Sequence, residues 1–269
     1  MTVRATANAP ATDDERDTLL APLSIMAANG VPMRTFVDVG AADGTFGLTV
    51  LDSVAPTLHV LNIDAQDTYT PSLQKIHALL GEPYRIAALA EREGKVRTTA
   101  PQHEYWLSTA YGGDREIPCI TLDRVWAEAN LPGPCFIKLD VEGGELAVLQ
   151  GAERTLEECC GLLIECPARD ASGPQFFDLY AHLAVRGFLL FDIVRRSYRG
   201  SDATLYQFYA AFIARRFDFR GTKPLRSSAQ QAEVLAAVAE RRRALVGEIA
   251  GLISSIKLKR ALLAGASRD

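Results

Sequence analysis

The chain has 269 residues, 48% hydrophobic and 23% charged, material for one large α/β domain or two small ones with a substantial core. A formal charge of −4 argues against a broad nucleic-acid surface, and no apolar run approaches the roughly 20 residues of a membrane span. The first 17 residues lack the basic-then-apolar order of a secretory signal, so a cytoplasmic location is expected.

The five cysteines, at 119, 135, 159, 160 and 166, form no Cys-x-x-Cys pair and are odd in number. That speaks against a zinc site or a disulfide framework, and they read as small buried side chains.

Residues 1–30 read as an arm followed by a helix over 15–28, ended by Asn29-Gly30. Phe36-Val37-Asp38-Val39-Gly40 predicts a strand, and a helix follows over 45–53. A second strand over 58–64 ends in Asp64, and a helix over 69–80 closes at Gly81. A third strand is expected over 84–90. This alternation implies a parallel sheet with right-handed crossovers. Residues 94–111 break the rhythm and predict extra strands or a hairpin, and residues 120–130 carry a helical pattern.

Cys135-Phe136-Ile137-Lys138-Leu139-Asp140-Val141-Glu142-Gly143-Gly144-Glu145 is the centre of the pattern. Such an apolar run is buried on both faces, and its C-terminal end lies where open α/β sheets bind ligands. Helical segments over 145–150 and 152–159, a buried strand over 161–167 and a helix over 175–186 come next. Strands over 188–194 and 205–214 finish the sheet as an antiparallel pair across a 195–204 loop.

From residue 227 the composition changes. Val234, Val238, Leu245, Ile249, Leu252 and Ile256 fall on one helical stripe. Unbroken over 228–263, that helix would be about 54 Å long, against a body roughly 45 Å across. It would therefore overhang, kink, lie on its own domain or bury its stripe in a homodimer. The expected divisions are an arm and helix over 1–30, a catalytic domain over 31–226 and a helical extension over 227–269.

The turn Asp38-Val39-Gly40-Ala41-Ala42-Asp43-Gly44 brings ligand close to backbone N–H groups. It is not Gly-x-Gly-x-x-Gly, because Ala42 stands where a second glycine would admit a pyrophosphate. Asp38, Asp43, Asp64, Asp140 and Glu142 would together make an acidic mouth, which suits the cationic S-adenosylmethionine better than the anionic NAD. Asp64, ending the second strand, is placed to accept both hydroxyls of an adenosine ribose.

These segments, with Thr121-Leu122-Asp123, Ile137 to Ala152 and Leu163-Ile164-Glu165, resemble the FkbM family of S-adenosylmethionine-dependent methyltransferases over residues 35–212. The resemblance implies a doubly wound, Rossmann-like methyltransferase sheet with an antiparallel last strand. It also implies O-methylation of a sugar hydroxyl in a glycan or glycosylated natural product, or of a polyketide hydroxyl. Three positions depart from the family pattern. Asn is common where Ala42 stands, Glu-Pro where Asp64-Ala65 stands, and Ala at Gly144.

By that likeness Gly40, Ala41 and Gly44 line the methionine end of the cofactor, Asp64 its ribose and residues 88–91, beginning with Ala88, its adenine. Asp140 faces the amino group or the reacting centre. A sugar hydroxyl needs a base within reach; Asp140, Glu142, Glu165 and His103 are the candidates, with Lys138 as an acidifier of the acceptor or an ion-pair partner. His103, Tyr105 and Trp106 are candidates for substrate contact. No metal is assigned. A nicotinamide oxidoreductase and a non-catalytic partner protein keeping the methyltransferase fold are the competing readings.

Overall fold

A computed structural model describes residues 16–98, 115–168 and 175–222, together with Ala236 and Glu240. The chain divides into two compact units, Met1–Asp218 and Phe219–Asp269. Of the second, a short 3-10 turn at Arg220–Thr222 is the only element described. The helical stripe expected from residue 227 lies outside the described residues, as do His103, Tyr105 and Trp106.

The first unit alternates strands and helices: α1 (Ala21–Ala28), β1 (Thr35–Val39), α2 (Thr45–Ser53), β2 (His59–Asp64), α3 (Thr70–Leu80), β3 (Tyr84–Ile86), β4 (Ala88–Leu89), β5 (Gly94–Thr98) and β6 (Arg115–Ile120). Then follow α4 (Leu122–Ala129), β7 (Cys135–Leu139), α5 (Glu145–Gln150), α6 (Glu153–Glu157), β8 (Cys159–Pro167), α7 (Phe176–Ala184), β9 (Phe188–Tyr198) and β10 (Leu205–Ala214). Seven strands form one sheet in the order β3-β2-β1-β7-β8-β10-β9. β3, β2, β1, β7 and β8 are parallel; β10 is antiparallel to both β8 and β9. Among the described residues no helix is long and apolar enough to cross a membrane.

The two faces of the sheet carry different side chains because successive residues of a strand point to opposite sides. Val37, Val39, Ile137, Leu139, Leu162 and Ile164 share one core with Leu122, Val125 and Trp126 of α4, Val148 and Leu149 of α5 and Leu179 and Leu183 of α7. On the other face Phe36 packs against Phe136 and against Phe46 of α2. Helices thus cover both faces, which is why the central strands β1 and β7 are buried along their whole length. All five cysteines are buried and free.

Two expectations change. The run over 84–90 is not one strand: Ile86 pairs with Asp64 in the large sheet, whereas Ala88 pairs with Cys119 in a three-stranded sheet ordered β4-β6-β5. The hydrogen bond from Ala87 N to Asp64 O marks the crossing. Strand β6, at Arg115–Ile120, supplies the antiparallel partner of β5 and gave no clear strand pattern of its own. The 195–204 loop is also shorter, because β9 runs on to Tyr198. As the outermost strand it exposes Arg195 and Arg196 to solvent, and charge is tolerated there.

A set of polar contacts fixes the helices behind the site. Thr121 caps α4 by accepting from Arg124 N. Asp123 accepts from Thr155 N and Thr155 Oγ1 (2.8 and 2.7 Å) and from Arg154 N, anchoring the start of α6. A β-carbon on Gly151 would lie 2.1 Å from the carbonyl oxygen of Ala90, so glycine lets the α5–α6 junction pack against the chain leaving β4.

Candidate active site

The C-terminal ends of β1, β2 and β7 open into a cleft of about 330 Å3, within the roughly 300–1,000 Å3 usual for small-molecule sites. Of the residues expected at the cofactor, Gly40, Asp64, Ala88 and Asp140 line it, as does Glu142. Ala42, Ala65, Gln66, Tyr69, Ala87 and Leu89 line it too. Gln66 and Tyr69 were not foreseen; their position just after the β2 acid is the signal that marks them.

The turn after β1 is held tightly. Gly40 N and Ala41 N both donate to Ile63 O (2.9 and 3.1 Å), and Asp140 N donates to Val39 O (3.0 Å). Gly40 has φ +79°, and a β-carbon there would sit 1.8 Å from Asp140 O. Asp64 Oδ2 accepts from Ala42 N and Oδ1 from Gln66 N, each at 2.8 Å. Each oxygen keeps a lone pair for a further donor. Burial pushes the Asp64 carboxyl up, opposed by those backbone N–H groups.

The acidic mouth is narrower than the sequence suggested. Asp38 is fully buried and does not line the cleft; Lys138 Nζ reaches its Oδ1 at 3.1 Å. Asp43 is exposed and turned to its own chain, accepting from Thr45 N. Ala41 is buried, and Gly44, at the start of α2, packs toward Leu73 and Ile76 of α3.

Lys138 gives its three protons three acceptors: Asp38 Oδ1, the Gly40 carbonyl (3.2 Å) and Asp140 Oδ2 (3.2 Å). Burial alone would lower its pKa, but Asp38 and Asp140 outweigh that and hold it above the ordinary lysine value. Lys138 therefore ties β1 to the end of β7.

Asp140, Glu142 and Glu165 come together, with one carboxylate oxygen from each lying within 4.8 Å of the others. Burial, then Asp140 and Glu145, pushes Glu142 up to about 7. Burial, then Asp140, Glu142 and Glu145, pushes Glu165 up to about 9, so it holds its proton at neutral pH. Glu145 is buried beside them, its Oε1 accepting from Val141 N and Gly143 N. These two bonds fold the glycine pair back and carry Glu142 into a left-handed conformation, φ +56°. Tyr209 and Gln207 of β10, neither foreseen from sequence, donate into the same cluster.

The residues fit S-adenosylmethionine. Asp64 would offer acceptors to ribose hydroxyls, Ala65, Ala87, Ala88 and Leu89 would form an apolar wall for adenine, and Gly40 would open backbone to close approach. The donor set is acidic, and among the described residues no basic side chain lines the cleft to receive a pyrophosphate.

Comparison with known proteins bears on the same stretch. The methyltransferase FkbM domain matches residues 38–190, more than half of the chain. No curated protein matches. Among solved structures, magnesium protoporphyrin IX methyltransferase from Synechocystis PCC 6803 with bound S-adenosylmethionine is 13% identical, covering 77% of this chain and 86% of that one, TM-score 0.41. Methanococcus jannaschii fibrillarin pre-rRNA processing protein is 12% identical, with coverage of 78% and 83% and a TM-score of 0.44. A SAM-dependent methyltransferase from Aquifex aeolicus is 14% identical, with 75% and 96% coverage and a TM-score of 0.38. Similarity at this level says nothing of the substrate. The domain match, over the strands and turns that build the cleft, makes this chain a member of the FkbM methyltransferase family, with S-adenosylmethionine as its cofactor.

Proposed function

We propose that the protein is an O-methyltransferase acting on a sugar hydroxyl of a glycan or glycosylated natural product. The observation that carries this reading is Glu142, a cleft-lining carboxyl pushed up to about 7 among other acids. A hydroxyl is a poor nucleophile, and a base is most effective when its pKa lies near the working pH. The sugar class comes from the family resemblance.

Bound S-adenosylmethionine supplies an electrophilic methyl group. The chain's own part is to hold the donor and acceptor in line, exclude water and receive the proton that the acceptor hydroxyl loses. Alignment of this kind is worth up to ~7–11 kcal/mol in well-oriented reactions. Among the three acids the roles divide. Glu142 takes the proton, Glu165 already carries one at neutral pH, and Asp140, bonded by Lys138 and Tyr209, is the fixed anion facing the donor's cationic end.

The test uses methyl-labelled S-adenosylmethionine with a panel of methyl glycosides, nucleoside-diphosphate sugars and glycosylated macrolides. Label should move to an alkali-stable ether, and the rate should rise as pH passes through about 7. Glu142→Gln should abolish transfer while S-adenosylhomocysteine still binds within about twofold by calorimetry. Label found only on amines would overturn the hydroxyl assignment, and an undiminished rate in Glu142→Gln would overturn the base.

A further inference from the structure

Tyr209 belongs to an otherwise apolar stretch of β10 and is 7% exposed. Because β10 lies antiparallel against β8, Tyr209 stands directly opposite Glu165. Its hydroxyl donates to Asp140 Oδ2 at 2.9 Å and lies 3.3 Å from Glu165 Oε1. Gln207, two residues earlier on the same strand, donates to that Glu165 oxygen at 2.7 Å.

Asp140 Oδ2 is therefore bonded from two sides, by Lys138 from its own strand and by Tyr209 from across β8. Asp140 itself lines the cleft. The two ties are not equivalent. Lys138 is shared with Asp38 and the Gly40 carbonyl, so it cannot follow Asp140 if the carboxylate turns. Glu165 is the other side-chain partner of Asp140, so loss of the Tyr209 hydroxyl leaves the carboxylate held between Glu165 and Lys138 alone.

We propose that Tyr209 is a positioning residue which, by donating to Asp140 Oδ2 opposite Lys138, fixes the Asp140 carboxylate in the cleft and so sets how tightly the amino-acid end of the methyl donor is held. The proposal rests on the reading that Asp140 faces that end. Tyr209 acts through Asp140 and is not among the residues that line the cleft.

Two probes separate the ends of the donor: S-adenosylhomocysteine, and 5′-methylthioadenosine, which lacks the amino-acid portion. Tyr209→Phe keeps the ring and removes the hydroxyl. Calorimetry should show S-adenosylhomocysteine bound at least fivefold more weakly by Y209F, with 5′-methylthioadenosine within twofold of the parent. D140N should show the same selective loss, and the Y209F/D140N double variant should be no more than twofold weaker than D140N, since coupled residues are not additive. Equal weakening of both probes in Y209F would mean a merely structural tyrosine and overturn the proposal, as would additive losses in the double variant. If D140N weakens S-adenosylhomocysteine and Y209F does not, the tyrosine's role falls while the assignment of Asp140 stands. If D140N changes nothing, the reading of Asp140 itself falls and the proposal with it.

Discussion

A β-carbon added to Gly40 would lie 1.8 Å from the carbonyl oxygen of Asp140. The turn after β1 and the end of β7 meet backbone to backbone, and this contact shapes the floor of the cleft. Gly40→Ala combines that clash with a left-handed backbone. The conformation costs about 1–2 kcal/mol and overpacking about 1–3 kcal/mol. The variant should unfold at clearly lower urea and lose S-adenosylhomocysteine binding. Unchanged binding in calorimetry would show that the floor yields without penalty.

Lys138 is a buried cation between two acids, one of them fully buried. Removing one partner of such a group strands the other charge, typically at about 3–5 kcal/mol, whereas replacing the whole pair by apolar groups of similar volume can be neutral. Lys138→Met should therefore be severely destabilised, and Asp38→Leu in the same chain should recover much of the loss. Chemical denaturation of the two variants measures this. Further loss in the double variant would mean that Asp38 stabilises the fold by something other than its pairing with Lys138.

The legibility of this molecule in its sequence follows strand burial. β1, β2, β7 and β8 announce themselves as apolar runs, and the acids at their ends are legible because a polar residue interrupts each run at the sheet's open edge. Periodicity does not say which sheet a strand joins, so the run containing both Ile86 and Ala88 concealed a change of sheet. Nor does it distinguish an outer strand bearing Arg195 and Arg196 from a loop. Tyr209 was hidden for a different reason. In Phe208-Tyr209-Ala210-Ala211-Phe212 it reads as core, and only the antiparallel register against Glu165 gives its hydroxyl a task. Asp38 illustrates the reverse error: a strand acid too early in β1 to reach the mouth, buried because Lys138 lies opposite it on β7.

Ala42 has φ +48°, a left-handed conformation that alanine adopts at a cost of roughly 1–2 kcal/mol. Asparagine tolerates that conformation far better, which gives a physical reason for its frequency at this position in the FkbM pattern. Ala42→Asn should therefore raise stability, by no more than the roughly 1–2 kcal/mol of the alanine's strain. The backbone N–H bonded to Asp64 remains, so S-adenosylhomocysteine binding should persist. A thermal melt below that of the parent would show that the asparagine side chain does not fit the cleft wall.

The clustered acids make stability fall with rising pH. Glu142, with a folded pKa of about 7, and Glu165, of about 9, both stand above the 4.5 of an ordinary glutamate. Between the unfolded and folded values the native chain keeps a proton that the unfolded chain has released. Stability therefore declines as pH rises from about 4.5 toward 7 for Glu142 and toward 9 for Glu165. Each tenfold change in proton affinity is worth about 1.4 kcal/mol, or roughly 3–6 °C of melting temperature at 2–4 °C per kcal/mol in a chain of this size. A glutamine side chain mimics the protonated acid, so Glu165→Gln should melt close to the parent at pH 5. It should melt higher than the parent by a margin that widens up to pH 9. A constant difference between the two melting curves across that range would mean that Glu165 is not under the pressure of its neighbours, and that the acids at the mouth are held apart in solution.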